Sequence, residues 1–295
     1  MKLAGVGVWS SQLRYGDANE SAEAAAELEE LGFEALWIPD VGGNVFEAVA
    51  HLLASTRRVV IATGILNLWM HAASEVNASY ATLSAEYGDR FLLGIGVSHA
   101  PLIDASEPGR YRRPLAATRA FLDALDAAEH PVPVEHRVLA ALGPKMLELS
   151  AKRANGAHPY LVTPEHTAGA REILGEGPLL LPEQGVILCD GAAEARAIGT
   201  DWLRAYLALP NYANNLLRSG FTAADLESVS DRLFDAIIAW GDEETVLRRV
   251  KEHHDAGADH VCIQVLTADP QEFPREQWRR IAAALHSISR ASRQN

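Results

Sequence analysis

The chain is short of cysteine, short of positive charge and free of long apolar runs, and each shortage removes a class of function. Two cysteines, Cys189 and Cys262, sit in apolar segments of strand-like pattern. They make no disulfide framework, and reduced core thiols suit a cytoplasmic protein. Lysine and arginine total 26 against 39 acidic residues, a net charge of −13. That balance excludes the basic face on which general nucleic-acid or membrane-surface binding depends. No apolar run reaches the roughly 18 residues needed to span a bilayer. The first residues, MKLAGVGVWSSQ, read as a strand and not as a secretion signal, because the apolar part is short and no cleavage site follows. Walker loop, Gly-x-Ser-x-Gly elbow, His-Glu-x-x-His and paired-cysteine motifs are also missing. His99, His136, His158 and His166 therefore carry no metal reading of their own, and a metal-dependent barrel hydrolase has no ligand motif to stand on.

What the chain does have is a repeated join. ELEELGFEALW at 27–37, AKRANGAHPYL at 151–161 and KEHHDAGADHVCI at 251–263 each run from a charged helix through a glycine into an apolar strand. Glycine at 32, 156 and 257 can adopt the left-handed conformation that ends a helix and returns the chain to a sheet. Strands are expected at 3–9, 35–39, 59–68, 91–97, 137–142, 157–162, 185–189 and 260–266. They are rich in Val, Ile and Leu with little polar alternation, as in a parallel sheet covered by helices. Eight such units in 295 residues predict one (β/α)8 barrel domain, for which roughly 250 residues suffice. Residues 208–240, with PNYANNLLRSGF and DRLFDAIIAWG, exceed the bare barrel and read as a helical insertion between strands seven and eight. His253 and His254 fall on an outer helix and read as solvated.

A (β/α)8 barrel puts its chemistry at the C-terminal ends of its strands. Asp40 follows strand two, where it is either a helix cap or a site carboxylate. Thr63, Gly64 and Ile65 interrupt strand three, and a glycine there suggests a bulge or a close ligand. Strand four ends GIGVSH, which lacks the third glycine of a dinucleotide fingerprint; its glycines leave room for something flat. His99 then stands at the barrel mouth, where an imidazole could move a proton. Gly143, Pro144, Lys145 and Met146 form either an ordinary strand-to-helix turn or an anion site of helix amides beside a lysine. Thr163 before Pro164 reads as a helix cap.

These segments resemble the bacterial-luciferase-like superfamily, and within it a branch of coenzyme F420-dependent oxidoreductases. The resemblance is carried by EELGFEALWIPD, VVIATGILNLW, RFLLGIGVSHAPL, VLAALGPKMLELSAKRANGAHPYLVTPEHT, LLLPEQGVIL, LALPNYANNLLRSGF and AWGDEETVLRRV, which touch nearly the whole chain in order. It implies a luciferase-like (β/α)8 TIM barrel with a flat tricyclic cofactor across its mouth, coenzyme F420 or alternatively FMN. It implies that Asp40 is the acidic cofactor-site position after strand two and that Thr63, Gly64 and Ile65 form the strand-three bulge that backs the ring, with a cis peptide at Gly64–Ile65. Gly96, Val97, Ser98 and His99 would form the strand-four rim. Gly143, Pro144, Lys145 and Met146 would bind phosphate, adjoined by Gly156, Ala157 and His158. Sugar-phosphate dehydrogenases of the superfamily carry His where this chain has Val41, and Glu where it has His99. The resemblance therefore implies a different small-molecule substrate, with His99 handling the proton. It also implies a homodimer. An FMN-dependent monooxygenase and a barrel that binds its ligand without turnover are the alternative readings.

Overall fold

Every predicted strand forms, and each pairs in parallel with its neighbours. The computed structural model describes the backbone of residues 1–294 and the side chains of residues 1–287. The strands are β1 (Val6–Trp9), β2 (Ala35–Ile38), β3 (Val60–Thr63), β4 (Leu66–Asn67), β5 (Phe91–Gly96), β6 (Arg137–Leu139), β7 (Gly156–Ala157), β8 (Leu179–Leu180), β9 (Glu183–Leu188), β10 (Ile238–Gly241) and β11 (Val261–Val265). Pairing runs from β9 through β11, β1, β2, β3, β5, β6 and β7 to β8, with β4 on β5. β8 and β9 are one extended run broken at Pro182, which has no N–H to give the ladder. Leu181 and Glu183 still donate to the carbonyls of Ala157 and Pro159, and Pro182 accepts from Cys262, so this run closes the cylinder. β10 is an extra strand that pairs with β9 beyond the reach of β7.

Two expected strands come out shifted. The one expected at 157–162 is only Gly156–Ala157 in the ladder, because Leu161 has φ +57° and turns the chain away. The one expected at 185–189 begins earlier, at Leu179, because Pro182 disguises its first half. Between β9 and β11 the insertion forms helices Pro210–Arg218, Ala223–Ser228 and Asp231–Ile237 before β10. No described helix is long and apolar enough to cross a membrane.

Alternation along the strands sorts the core into two layers. Leu36, Ile38, Ile61, Leu93 and Ile95 point outward against helices such as Val45–Ser55 and Ala73–Tyr87. Trp37, Ala62, Leu92, Val138 and Cys262 belong to the layer that includes the barrel interior. The interior also holds a polar stack. Trp37 lies on His158 with ring centres 4.3 Å apart and donates Nε1–H to His260 Nε2 at 3.3 Å. His260 in turn donates Nδ1–H to the Ala4 carbonyl at 2.7 Å. Gly7 makes room for that imidazole, since a Cβ there would stand 2.6 Å from His260 Nε2.

His253 is not solvated. The helix Glu243–Asp255 turns it against the sheet, where it bridges Gln184 Oε1 at 3.0 Å and Thr167 Oγ1 at 2.9 Å. Burial pushes His158, His253 and His260 down from 6.5 to about 4, about 3 and about 4. Between pH 6.5 and 4 the unfolded chain then binds protons that the folded chain refuses. Stability falls with falling pH, by up to about 1.4 kcal/mol per pH unit for each histidine. Glu183 works in the opposite sense. Burial raises it from 4.5 to about 8, so its contribution is lost as pH rises through that range. With three histidines against one glutamate, the urea midpoint is expected to be lower at pH 5 than at pH 7; equal midpoints would contradict this electrostatic account.

Candidate active site

At β3 the ladder opens and a cavity begins. The Gly64–Ile65 peptide is cis, as the resemblance implied. Gly64 N–H donates to the Ile38 carbonyl at 2.8 Å, and its own carbonyl accepts Trp9 Nε1–H at 2.9 Å. Thr63 spans the gap to β5: its hydroxyl donates to the Gly94 carbonyl at 2.8 Å and accepts the Gly94 N–H at 2.9 Å. One side chain thus satisfies both backbone groups that the bulge would strand in the core. The glycines of β5 serve the same bulge. A Cβ at Gly94 would stand 1.9 Å from the Thr63 carbonyl oxygen, and one at Gly96 would stand 2.5 Å from Ile65 Cδ1. What lies flat on Gly96 is therefore Ile65, and Ile65 faces the cavity in its place.

The cavity encloses about 650 Å³ over the C-terminal ends of the strands. Asp40, Gly64, Ile65, Val97, Ser98 and His99 line it from β2, β3 and β5, and Gly143, Met146 and His158 from β6 and β7. Thr63 and Gly96 lie behind this wall, and Gly156 and Ala157 lie beneath it in β7. Pro144 and Lys145 are exposed and off the wall. Lys145 is thus not the cation at this turn; Arg218, on the inserted helix, reaches to within 3.9 Å of where a Gly143 Cβ would stand.

Asp40 is held from two sides. Its Oδ2 accepts Asn67 N–H at 3.0 Å and lies 2.8 Å from His71 Nε2, while Oδ1 is buried with no protein partner. Sequence reasoning missed His71, which carried no motif. His158 donates Nδ1–H to the Leu181 carbonyl at 2.7 Å, because a carbonyl can only accept; Nε2 is then a bare acceptor, buried beside Gly64. His99 packs on Tyr212 at 4.8 Å, and its Nδ1 is buried without a partner. Burial pushes His99 down to about 4, so at neutral pH it is an uncharged imidazole able to accept a proton.

The roof comes from the insertion. Asn211 Nδ2 donates to the Ser98 carbonyl at 3.0 Å, tying the inserted helix to the β5 loop. Tyr206 donates to Tyr160 at 2.9 Å, and Tyr160 donates to Gln264 Oε1 at 2.5 Å. Tyr160, Tyr206 and Tyr212, with Trp9, make aromatic walls that sequence reasoning did not assign; the unusual segment PNYANNLLR was a signal for Tyr212 alone. Among the described residues no group of three or more His, Cys, Asp or Glu is placed to hold a metal.

A parallel barrel with an aromatic, partly polar cavity at its C-terminal mouth defines a cofactor- or substrate-binding (β/α)8 protein. The chain belongs to the luciferase-like monooxygenase family, whose sequence profile matches residues 3–260. It is 24% identical, over an alignment covering 92% of this chain and 96% of the relative, to a Mycobacterium tuberculosis protein named as a coenzyme F420-dependent oxidoreductase. Among solved structures it resembles an F420-dependent secondary alcohol dehydrogenase in complex with an F420–acetone adduct. That match has a TM-score of 0.73 at 14% identity and covers 96% of this chain and 98% of the other. It also resembles the oxygenating constituent of 3,6-diketocamphane monooxygenase from Pseudomonas putida, in complex with FMN. There the TM-score is 0.66 at 14% identity, over 95% and 96% of the two chains.

The Thr63 bridge yields a test of the site's frame. Thr63→Val would leave the Gly94 N–H and carbonyl without partners, at about 1–3 kcal/mol for each orphaned group. Denaturant unfolding is expected to show a loss of about 2–6 kcal/mol, and Thr63→Ser a loss below about 1 kcal/mol. A valine variant as stable as the parent would remove the bridge from the account.

Proposed function

We propose that the protein is an oxidoreductase that moves a hydride between coenzyme F420 and a small organic substrate. The observation that carries this reading is the pairing of a flat-sided aromatic cavity with a single anion corner. The corner joins Gly143, at the N-terminus of a ten-residue helix, to the Arg218 guanidinium. A tricyclic ring with an anionic chain fits such a site. When bound, the deazaflavin supplies a carbon centre that carries hydride and reacts poorly with oxygen.

The chain's own residues supply position, dryness and a proton path. Gly64 and Ile65 back the ring. Gly143 and Arg218 hold the anionic chain, and the tyrosines of the roof and wall keep water out. His99 exchanges the substrate's proton through its uncharged imidazole. FMN is the second reading, because it offers the same flat ring and anionic tail and one structural relative binds it. The same reading expects two copies to pair through outer helices, which sedimentation equilibrium measures.

Titration followed by cofactor fluorescence is expected to give a Kd for F420 at least about tenfold below that for FMN; the reverse order would make the protein an FMN enzyme. Arg218→Gln is expected to raise the F420 Kd about tenfold or more through loss of a charge-assisted contact. His99→Ala is expected to lower kcat by about 10²–10⁴. The sign of the histidine shift fixes the acid limb: if His99 accepts the proton, kcat/KM stays flat from pH 8 to 5 and falls only as pH drops through about 4. A fall centred near pH 6.5 would point to a different, exposed group.

A further inference from the structure

The mouth of the cavity has a composition that the cofactor reading does not use. Tyr15, Val41 and Leu102 line the cavity and are also exposed, at 47%, 72% and 51%. Single exposed apolar side chains are ordinary on any protein, but three on the rim of one cavity form a patch continuous with its interior. Tyr15 and Val41 hold each other in place. Val41 N–H donates to the Tyr15 hydroxyl at 2.9 Å, which fixes the loop after β2 against the loop after β1. Behind them the wall continues through Trp9, Tyr160 and Tyr212 to His99.

The fixed charges of this cavity are few. Its lining includes one carboxylate, Asp40, and one guanidinium, Arg218. Arg218 stands at the Gly143 corner and serves the cofactor's anionic chain. Asp40 adjoins Val41 at the opposite, apolar rim. The nearby cations are not on the wall: Arg14 donates to the Gly42 carbonyl at 2.8 Å and stacks on the Tyr15 ring at 4.8 Å, behind the rim, and Arg110 pairs with Glu107 at 2.9 Å. Arg112 and Arg113 are exposed and off the wall. A carboxylate or phosphate on the substrate would therefore lose its hydration against apolar side chains, near the Asp40 carboxylate, with no cation on that part of the wall to meet it directly. His99 adds none, because its imidazole is uncharged at neutral pH.

Resting on the F420 reading, we propose that the substrate is an uncharged, largely apolar molecule. It enters past Tyr15, Val41 and Leu102 and carries its hydroxyl or carbonyl group inward to His99. The rim selects for apolar surface, and the polar groups of the interior recognise only the reacting end.

A matched pair of probes tests this: cyclohexanone and 4-oxocyclohexanecarboxylate, titrated at pH 7 by saturation-transfer NMR against the free protein and against F420-loaded protein. Cyclohexanone is expected to bind at least about tenfold more tightly in both forms. Leu102→Lys, an exchange at an exposed position, is expected to narrow that ratio by at least about threefold by supplying the missing cation. Equal or tighter binding of the carboxylate by the parent protein would overturn the proposal, as would binding of neither probe. If F420 fails to bind while the neutral probe keeps its advantage, the cofactor assignment falls and the rim's selectivity stands.

Discussion

The break between β3 and β5 is the constraint on which the site depends. A parallel sheet buried on both faces has no water to satisfy a stranded amide, so a bulge needs its own hydrogen-bond partners. The Thr63 hydroxyl provides two of them at Gly94, and Trp9 and Ile38 provide those of Gly64. With the ladder released, Ile65 swings over Gly96 and β4 resumes the pairing with β5 further along. The cavity wall is thus built from backbone that has left the sheet without losing its bonds. Asp40 joins the same region through Asn67 and His71, so the rims of β2 and β3 are tied together.

Electrostatically, the site is a region where protons are present and net charge is scarce. Burial keeps His99 and His158 uncharged and raises the phenols of Tyr160, Tyr206 and Tyr212, while Glu183 beneath them is pushed up to about 8. Such groups exchange hydrogen bonds instead of forming ion pairs. Asp40 and Arg218 are the exceptions, and Arg218 comes from the inserted helix, outside the barrel strands. The division of labour follows chain position: the strand ends set the walls of the cavity, and the insertion brings the cation and part of the roof.

How far this was legible in the sequence depends on the range of each interaction. Helix bounds such as Pro144–Arg153, Pro164–Leu174 and Ala192–Leu207 follow from capping, proline and glycine signals that act over three or four residues. The bulge at Thr63–Gly64 was readable for the same reason, since a glycine inside an apolar strand is a local anomaly. Partners were not readable. That His71 would face Asp40, or that Arg218 and not Lys145 would face Gly143, is decided by packing between segments 31 and 75 residues apart in the chain. His253 misled because the spacing of a charged helix does not reveal which turn meets the sheet. The two β5 glycines pointed to something flat approaching the backbone, whereas their close neighbours belong to the same chain: the Thr63 carbonyl at Gly94 and Ile65 at Gly96.

The roof leaves the cylinder and returns to it at adjoining points. Leu188 pairs in register with Gly241, and Cys189 N–H donates to the Gly241 carbonyl at 3.1 Å, so the intervening half-hundred residues begin and end on neighbouring backbone. An excursion with touching ends can be lengthened, shortened or exchanged without shifting any strand of the cylinder. Recasting that one contiguous stretch would therefore change the ceiling over the cavity while leaving its floor of strand ends in place.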